Sequence, residues 1–242
     1  FRPDFDKIAA AITPKTRAII VNSPHNPSAT VWTREEMLKL QELLAPTNIV
    51  LISDEVYEHL IFDGKSHVPL ATMPGMGERT VTISSAGKTF SYTGWKIGWA
   101  IAAPELLAAV RTTKQFLTYV SGGPFQYAIA QALDLPDQYY RDFTADLQAK
   151  RDLLVSGLGE LGFGVTIPEG TYFITTDISP LGFRDGLEFC RQLPEVAGVV
   201  AIPHQVFYDN VDAGRPLVRW AFCKQESVLN DALERLAVLK NR

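Results

Sequence analysis

The sequence predicts an α/β protein with a mostly parallel sheet, followed by a smaller α+β domain. In the first half of the chain, short apolar runs of strand length alternate with amphipathic helical segments, a pattern typical of parallel sheets. Polar or turn-forming residues follow each of these runs. After Leu135-Pro136 the pattern changes to one long helix and short, separated strands. We therefore predict a larger domain at residues 1–135 and a smaller domain at residues 136–242.

The elements of the larger domain follow in order. Asp4 is the predicted N-cap of a first helix, which closes before Pro14. Thr33 and Glu36 form the sequence signature of a capping box, so a second helix is expected to begin there. Continuous apolar runs predict buried strands at residues 18–21, 49–52 and 80–83.

The segment after the third strand predicts a change of direction. A fourth apolar run, residues 95–102, follows so closely that no helical crossover fits between the two, so we expect an antiparallel fourth strand. Pro104 at the N1 position begins a helix that reaches about residue 119, and another helix follows at about residues 126–133. The strands expected in the smaller domain are residues 164–167, 171–176, 198–202 and 217–223.

Composition limits the classes of function. The 242 residues carry a net charge of -4 without any basic block, which argues against nucleic acid as the main partner. No apolar run approaches the length of a membrane-spanning helix, so no membrane partner is expected. Cys190 and Cys223 lack metal-ligand spacing and are too few for a disulfide scaffold. We therefore expect reduced, buried thiols in a cytoplasmic protein.

Polar residues stand at the ends of the three predicted parallel strands. Asn26 lies in a turn-rich loop after the first strand, and Asp54 directly follows the second. Lys88 lies on a loop of small residues after the third strand, where it would be accessible. Taken singly, each residue has an ordinary interpretation: Asn26 as a turn residue, Asp54 as a helix cap and Lys88 as a surface lysine. Because ligands in open α/β sheets bind beyond the carboxyl ends of the strands, we predict that the three residues share one site.

Three kinds of site fit the sequence poorly. Gly87-Lys88-Thr89 imitates the end of a nucleotide-binding P-loop, but Thr82 stands five positions before Gly87, where that motif needs glycine. No G-x-S-x-G sequence marks a serine hydrolase. The histidines have no metal-binding spacing and are expected on the surface or in loops: His25, His59, His67 and His204.

A lysine that forms a Schiff base with pyridoxal phosphate fits these residues better. That cofactor needs an amine, a carboxylate at its pyridine nitrogen, donors at its ring hydroxyl, and phosphate ligands. Lys88 can supply the amine and Asp54 the carboxylate. Tyr57, three residues after Asp54, and Asn26 can both donate to the ring oxygen. The candidates for the phosphate are Ser85 and Lys96.

Four motifs together resemble the class I/II aminotransferases of pyridoxal-phosphate fold type I, and the resemblance covers essentially the whole chain. They are Asn26-Pro27, Asp54-Glu55-Val56-Tyr57, Ser85-Ala86-Gly87-Lys88 and Val218-Arg219-Trp220-Ala221-Phe222. The resemblance implies a mostly parallel sheet with helices on both faces and a smaller α+β C-terminal domain. Within the family, the sequence is most similar to the subgroup of kynurenine and methionine aminotransferases and of actinobacterial enzymes assigned to N-succinyldiaminopimelate.

The resemblance gives the cofactor residues the roles named above, with Lys88 as internal aldimine and proton shuttle. It adds Arg219, whose guanidinium would bind the substrate α-carboxylate as a bidentate fork, and it counts Asn26 as a substrate-binding residue as well. It also predicts that the Asn26–Pro27 peptide bond is cis. Two positions depart from related sequences: Ala29 stands where many have glycine, and Lys96 replaces the arginine of the aspartate-specific branch.

The implied reaction is a ping-pong amino transfer from an amino acid to a 2-oxo acid, in a homodimer with its active site at the subunit interface. The implied amino donors are methionine, aromatic amino acids, kynurenine or N-succinyl-LL-diaminopimelate. Two alternatives stay open: a pyridoxal-phosphate-dependent C–S β-lyase, and the effector-binding domain of an aminotransferase-like transcription regulator.

Three further expectations concern the extent of the chain, cofactor binding and the substrate pocket. Family members begin well before Phe1, so we expect a fragment that lacks the N-terminal substrate-gating segment, the phosphate loop and the aromatic ring stacked on the cofactor. Such a fragment should bind the cofactor poorly by itself. Three aromatic side chains are expected to pack in the core rather than to contact substrate: Tyr172, Phe207 and Tyr208.

Overall fold

The computed structural model describes residues 1–241 and divides the chain into two compact units. Unit 1 comprises residues 1–24 and 30–140, and unit 2 comprises residues 25–29 together with the chain from Arg141 onward. The domain limits expected from the sequence, 1–135 and 136–242, stay predictions.

Unit 1 contains a four-stranded sheet with the strand order β1-β2-β3-β4. The first three strands are parallel, and β4 is antiparallel to β3, as the short connection between them predicted. The strands are β1 (Ala18–Asn22), β2 (Val50–Asp54), β3 (Thr80–Ser85) and β4 (Gly98–Ile101).

Five helices lie within unit 1, and a sixth continues into the sequence of unit 2. They are α1 (Phe5–Ala11), α2 (Arg34–Leu44), α3 (Ala86–Thr89), α4 (Pro104–Leu117), α5 (Gly123–Leu133) and α6 (Asp137–Glu160). Asp4 caps α1 by accepting a hydrogen bond from the Lys7 amide. Thr33 and Glu36 form the predicted capping box of α2. These caps satisfy amide groups that have no partner inside the helix.

One face of the unit 1 sheet packs on α2. Val21 and Leu51 from the strands join Leu40 and Leu44 from α2 in a single buried cluster. Ile20 points to the opposite face because side chains alternate along a strand, and it is 71% exposed. The apolar side chains of α2 therefore fix which residues of β1 and β2 point into the core.

Unit 2 contains a second four-stranded sheet, with the order β5-β6-β8-β7 and antiparallel pairing throughout. Its strands are β5 (Gly164–Thr166), β6 (Phe173–Asp177), β7 (Ile202–Pro203) and β8 (Leu217–Ala221), and its other helices are α7 (Gly186–Ala197) and α8 (Glu226–Leu236). The strand expected at residues 198–202 was too long. Gly198 instead ends α7 in the left-handed conformation, with φ of 63°, so the strand begins only at Ile202.

The two faces of the unit 2 sheet differ in character. Ile174, Val218 and Trp220 are buried on one face, where the rings of Phe163 and Phe189 pack edge-on against Trp220. The register places Thr175 beside Arg219 on the other face, with Phe173 two residues earlier on the same side. This second face therefore carries the predicted substrate arginine.

The remaining predictions on local structure are mixed. Cys190 and Cys223 are free thiols, but Cys223 is exposed, so the expectation that both are buried was wrong.

Short 3-10 turns occur at Leu70–Thr72, Gly77–Arg79, Thr93–Trp95, Ser179–Leu181, His204–Phe207, Val211–Gly214 and Ala237–Asn241. Within residues 1–241, no helix has both the length and the apolar character needed to cross a membrane.

Candidate functional site

Asp54 ends the second strand of unit 1, between its two neighbouring strands. It pairs in register with Asn22 of β1 and with Ile83 of β3. Its carbonyl oxygen accepts hydrogen bonds from Asn22 Nδ2 at 3.0 Å and from the Ser23 amide at 3.1 Å. Its carboxylate accepts from the Val56 amide at 3.3 Å. The backbone on both sides thus fixes this carboxylate at the carboxyl edge of the sheet.

Burial raises the pKa of the Asp54 carboxyl above its ordinary value. The Val56 amide and the positive charge of Lys88 act in the opposite direction, whereas the charge of Glu55 adds to the rise. Burial disfavours a charged carboxylate, and a nearby cation favours it. A further cationic group against Asp54 would therefore stabilise its ionised form.

Glu55, the next residue, anchors this strand end from the buried side. It is 2% exposed, and its carboxylate accepts hydrogen bonds from Ser53 Oγ at 2.7 Å, His67 Nε2 at 2.6 Å and the Leu70 amide at 3.2 Å. Glu58 lies close enough for these side chains to form a group of potential metal ligands. Because the Glu55 oxygens already accept protein hydrogen bonds, we interpret the group as structural. The expectation that His67 is only a surface or loop residue missed this contact.

Lys88 does not lie on a loop, as the sequence suggested, but in the four-residue helix α3. Ser85 is the N-cap of this helix and accepts a hydrogen bond from the Gly87 amide at 3.2 Å. The Lys88 side chain is half-buried, and its Nζ lies 5.7 Å from the centroid of the Tyr57 ring. Unit 1 therefore brings Lys88 close to both Asp54 and Tyr57.

Lys96 occupies the turn that leads from α3 into β4. Its φ is 55°, in the left-handed region, and its side chain is exposed. The next residue, Ile97, ties this turn back to α3, because its carbonyl accepts hydrogen bonds from the Ala86 amide at 3.1 Å and from Ser85 Oγ at 3.5 Å. The Ser85 side chain is thus hydrogen-bonded to the residue that follows Lys96. The assignment of Ser85 and Lys96 to a phosphate stays a prediction.

In unit 2, Arg219 of β8 donates a hydrogen bond from Nη1 to Oδ1 of Asn26 at 2.5 Å. The guanidinium carbon lies 4.0 Å from the centroid of the Phe173 ring and 4.8 Å from that of the Phe207 ring. Phe207 is 41% exposed, so the expectation that it packs in the core was wrong. The Asn26–Pro27 peptide bond is cis, as predicted.

A buried histidine lies behind this pair. His204 is fully buried, and its Nε2 lies 2.9 Å from Oγ1 of Thr175, the residue beside Arg219 in the sheet. Thr175 Oγ1 also donates to the carbonyl of Pro27 at 3.3 Å. A hydroxyl has one proton, so Thr175 accepts the second hydrogen bond, and His204 carries its proton on Nε2. The hydrogen bonds of Thr175 with His204 and Pro27 hold the loop that presents Asn26, and no sequence motif predicted them.

Comparison with known proteins assigns the sequence to one family. Residues 1–236 match the family described as aminotransferase class I and II. The chain is 49% identical to a probable N-succinyldiaminopimelate aminotransferase of Mycobacterium tuberculosis, over 100% of this chain and 63% of that protein. It is 40% identical to a methionine aminotransferase of Escherichia coli, over 99% of this chain and 62% of that protein.

The solved structures give the same result. The N-succinyldiaminopimelate aminotransferase of Mycobacterium tuberculosis superposes with a TM-score of 0.95 and 51% identity, covering 98% of this chain and 62% of that one. The chain thus spans somewhat less than two thirds of the length of these relatives.

Proposed function

The chain belongs to the class I and II aminotransferases and has the type I fold of pyridoxal-phosphate enzymes, and on this premise we propose that it carries the catalytic lysine of an aminotransferase. The observation that supports this most is the grouping in unit 1, where Lys88 lies beside the Tyr57 ring and its charge acts on Asp54. An aminotransferase needs an amine and a carboxylate held in this way.

The residues of unit 1 fit pyridoxal phosphate by their chemistry. Lys88 offers the amine that attaches the cofactor, and Asp54 offers a half-buried carboxylate whose ionised form a cationic partner would stabilise. Lys96 and the Ser85 hydroxyl offer groups that bind phosphate. When bound, pyridoxal phosphate supplies an electron-accepting ring that stabilises negative charge on the substrate Cα.

Lys88 is the proposed acid–base group. With the cofactor bound, the Lys88 amine would remove the proton from the substrate Cα. Asp54 would stabilise a positive charge at the pyridine nitrogen, because its carboxylate is half-buried and fixed by the Val56 amide. Tyr57 and Asn26 keep their predicted roles as donors to the ring hydroxyl.

Arg219 is the proposed carboxylate-binding residue. Its guanidinium can bind both oxygens of an α-carboxylate, a geometry that lysine cannot reproduce. The amino donor and the 2-oxo acid share this carboxylate, so Arg219 binds both but does not distinguish among donors. The candidate donors are those that the similarity to the relatives suggests: methionine, aromatic amino acids, kynurenine and N-succinyl-LL-diaminopimelate.

The test is transamination by the complete protein, with each candidate donor paired with 2-oxoglutarate. We expect turnover with at least one donor and a loss of at least about 100-fold in Lys88→Ala. Lys7→Ala is the control, because Lys7 is a solvent-exposed side chain at the start of α1. Unchanged turnover in Lys88→Ala would contradict the proposal. Release of pyruvate and ammonia from cystathionine, without amino transfer, would identify the protein as a C–S lyase.

A further inference from the structure

Arg219 contacts two aromatic rings in unit 2. Its guanidinium carbon lies 4.0 Å from the centroid of the Phe173 ring and 4.8 Å from that of the Phe207 ring. Both distances are within the range of cation–π attraction. Phe173 extends from β6 on the same sheet face as Arg219, and Phe207 ends the 3-10 turn that follows β7.

The two rings differ in whether contacts other than Arg219 explain their positions. Phe173 is buried and packs against Tyr172 at 4.6 Å between ring centroids, so core packing is sufficient to explain its presence. Phe207 is 41% exposed, and its other ring contact is an edge-on one with His204 at 5.9 Å. An exposed phenyl ring contributes little to the core. Its contact with Arg219 is therefore the feature that needs an explanation.

Rings beside a guanidinium have two physical effects. They attract the cation through their negative faces, and they exclude water from the sides that they cover. Both effects restrict the plane of the guanidinium while its N–H edges keep their hydrogen-bonding capacity. One of these N–H groups already donates to Asn26. A carboxylate that binds Arg219 thus meets a guanidinium whose orientation has been set before binding.

We propose that Phe207 is a positioning residue for the substrate α-carboxylate, acting through Arg219. This inference rests on the proposed role of Arg219 as the carboxylate-binding residue. Because the amino donor and the 2-oxo acid share the carboxylate, loss of the Phe207 ring raises KM for both and leaves kcat nearly unchanged. A ring that only filled space would show no dependence on the charge distribution of its face.

The experiment measures the dissociation constant of 2-oxoglutarate by calorimetry, on the complete protein in its pyridoxal-phosphate form without an amino donor. We expect Phe207→Leu to weaken binding about 3- to 10-fold and Phe207→Tyr to bind like the unmodified protein. Progressively fluorinated phenylalanine at position 207 keeps the ring shape but weakens its negative face, so affinity should fall with each added fluorine. Val206→Ala is the matched control, because Val206 lies on the same turn and is 64% exposed.

The outcomes separate the two proposals. Unchanged affinity in Phe207→Leu, or the absence of any trend across the fluorinated series, overturns the role of Phe207 while Arg219 keeps its own. If Arg219→Ala binds 2-oxoglutarate as tightly as the unmodified protein, the carboxylate role of Arg219 fails, and the inference about Phe207 fails with it. Thermal unfolding of each variant checks that the change acts on binding rather than on folding.

Discussion

Arg219 donates a hydrogen bond to the side-chain oxygen of Asn26, a residue 193 positions earlier in the chain. Because Oδ1 accepts from Arg219, Nδ2 becomes the side of the amide that donates elsewhere. The same contact therefore fixes how the Arg219 guanidinium and the Asn26 amide are oriented toward each other.

Replacing Arg219 with lysine tests the fork geometry. Lysine keeps the charge but cannot form two parallel hydrogen bonds to a carboxylate or stack its head group on aromatic rings. We expect KM for both the amino donor and the 2-oxo acid to rise about 10- to 100-fold, with cofactor affinity unchanged. Steady-state kinetics and cofactor titration measure the two effects.

The control for that variant is Arg215→Lys in the same unit. Arg215 is an exposed arginine that pairs with Asp185 and Asp212, so its replacement should change KM by less than about twofold. Equal effects of the two Arg→Lys changes would contradict the assignment of Arg219.

Because His204 is buried, we expect the stability of the protein to depend on pH. Burial lowers its pKa to about 4, with smaller effects of the same sign from the charges of Arg219 and His25. The unfolded chain protonates this histidine near its ordinary pKa of 6.5, so between about pH 6.5 and pH 4 the unfolded state binds more protons. The contribution of His204 is therefore complete above pH 6.5 and is lost as the pH falls toward 4, by on the order of 3 kcal/mol.

Urea unfolding at pH 7 and at pH 4.5 measures this difference. His204→Gln is the informative variant, because glutamine does not titrate and can still donate to Thr175. We expect the unmodified protein to lose more stability than His204→Gln over this interval. The same loss in both proteins would show that other groups cause the acid sensitivity.

Replacing Ala29 with glycine is expected to have an unusual effect on the stability of the protein. Its φ is 58°, where the Cβ of an L-residue is disfavoured, and its carbonyl accepts hydrogen bonds from the Glu169 and Gly170 amides that hold this conformation. Ala29→Gly relieves the strain but frees the unfolded chain, so we expect it to be neutral or stabilising by up to about 1 kcal/mol. Ala108→Gly, at an exposed position inside α4, should instead destabilise by about 1 kcal/mol. Urea midpoints compare the two, and equal destabilisation would contradict the strain at Ala29.

Local signals were sufficient to predict most elements of unit 1. The capping box at Thr33 and Glu36 and the apolar runs of the strands depend on neighbouring residues, so they can be read directly from the sequence. The short connection before β4 restricted that strand to antiparallel pairing. In unit 2, by contrast, the strand predicted from composition began too early, because Gly198 ends α7 in the left-handed conformation.

The contacts of the candidate site were predicted less completely. Asp54 and Lys88 could be grouped because parallel strands end at the same edge of a sheet. Two other contacts could not be predicted: the hydrogen bond of His67 to Glu55 and the position of Phe207 beside Arg219. Each depends on how a turn folds back in three dimensions. No periodicity marks such a contact, and the fractional exposure of Phe207 depends on tertiary packing.

Reductive trapping of the cofactor identifies the lysine to which it is covalently attached. The complete protein, loaded with pyridoxal phosphate, is treated with borohydride, digested and analysed by mass spectrometry. We predict that the cofactor is attached to the peptide that contains Lys88, with Lys96 unmodified, and that Lys88→Arg abolishes the attachment. Attachment to another lysine, or cofactor binding without attachment to Lys88, would contradict the account.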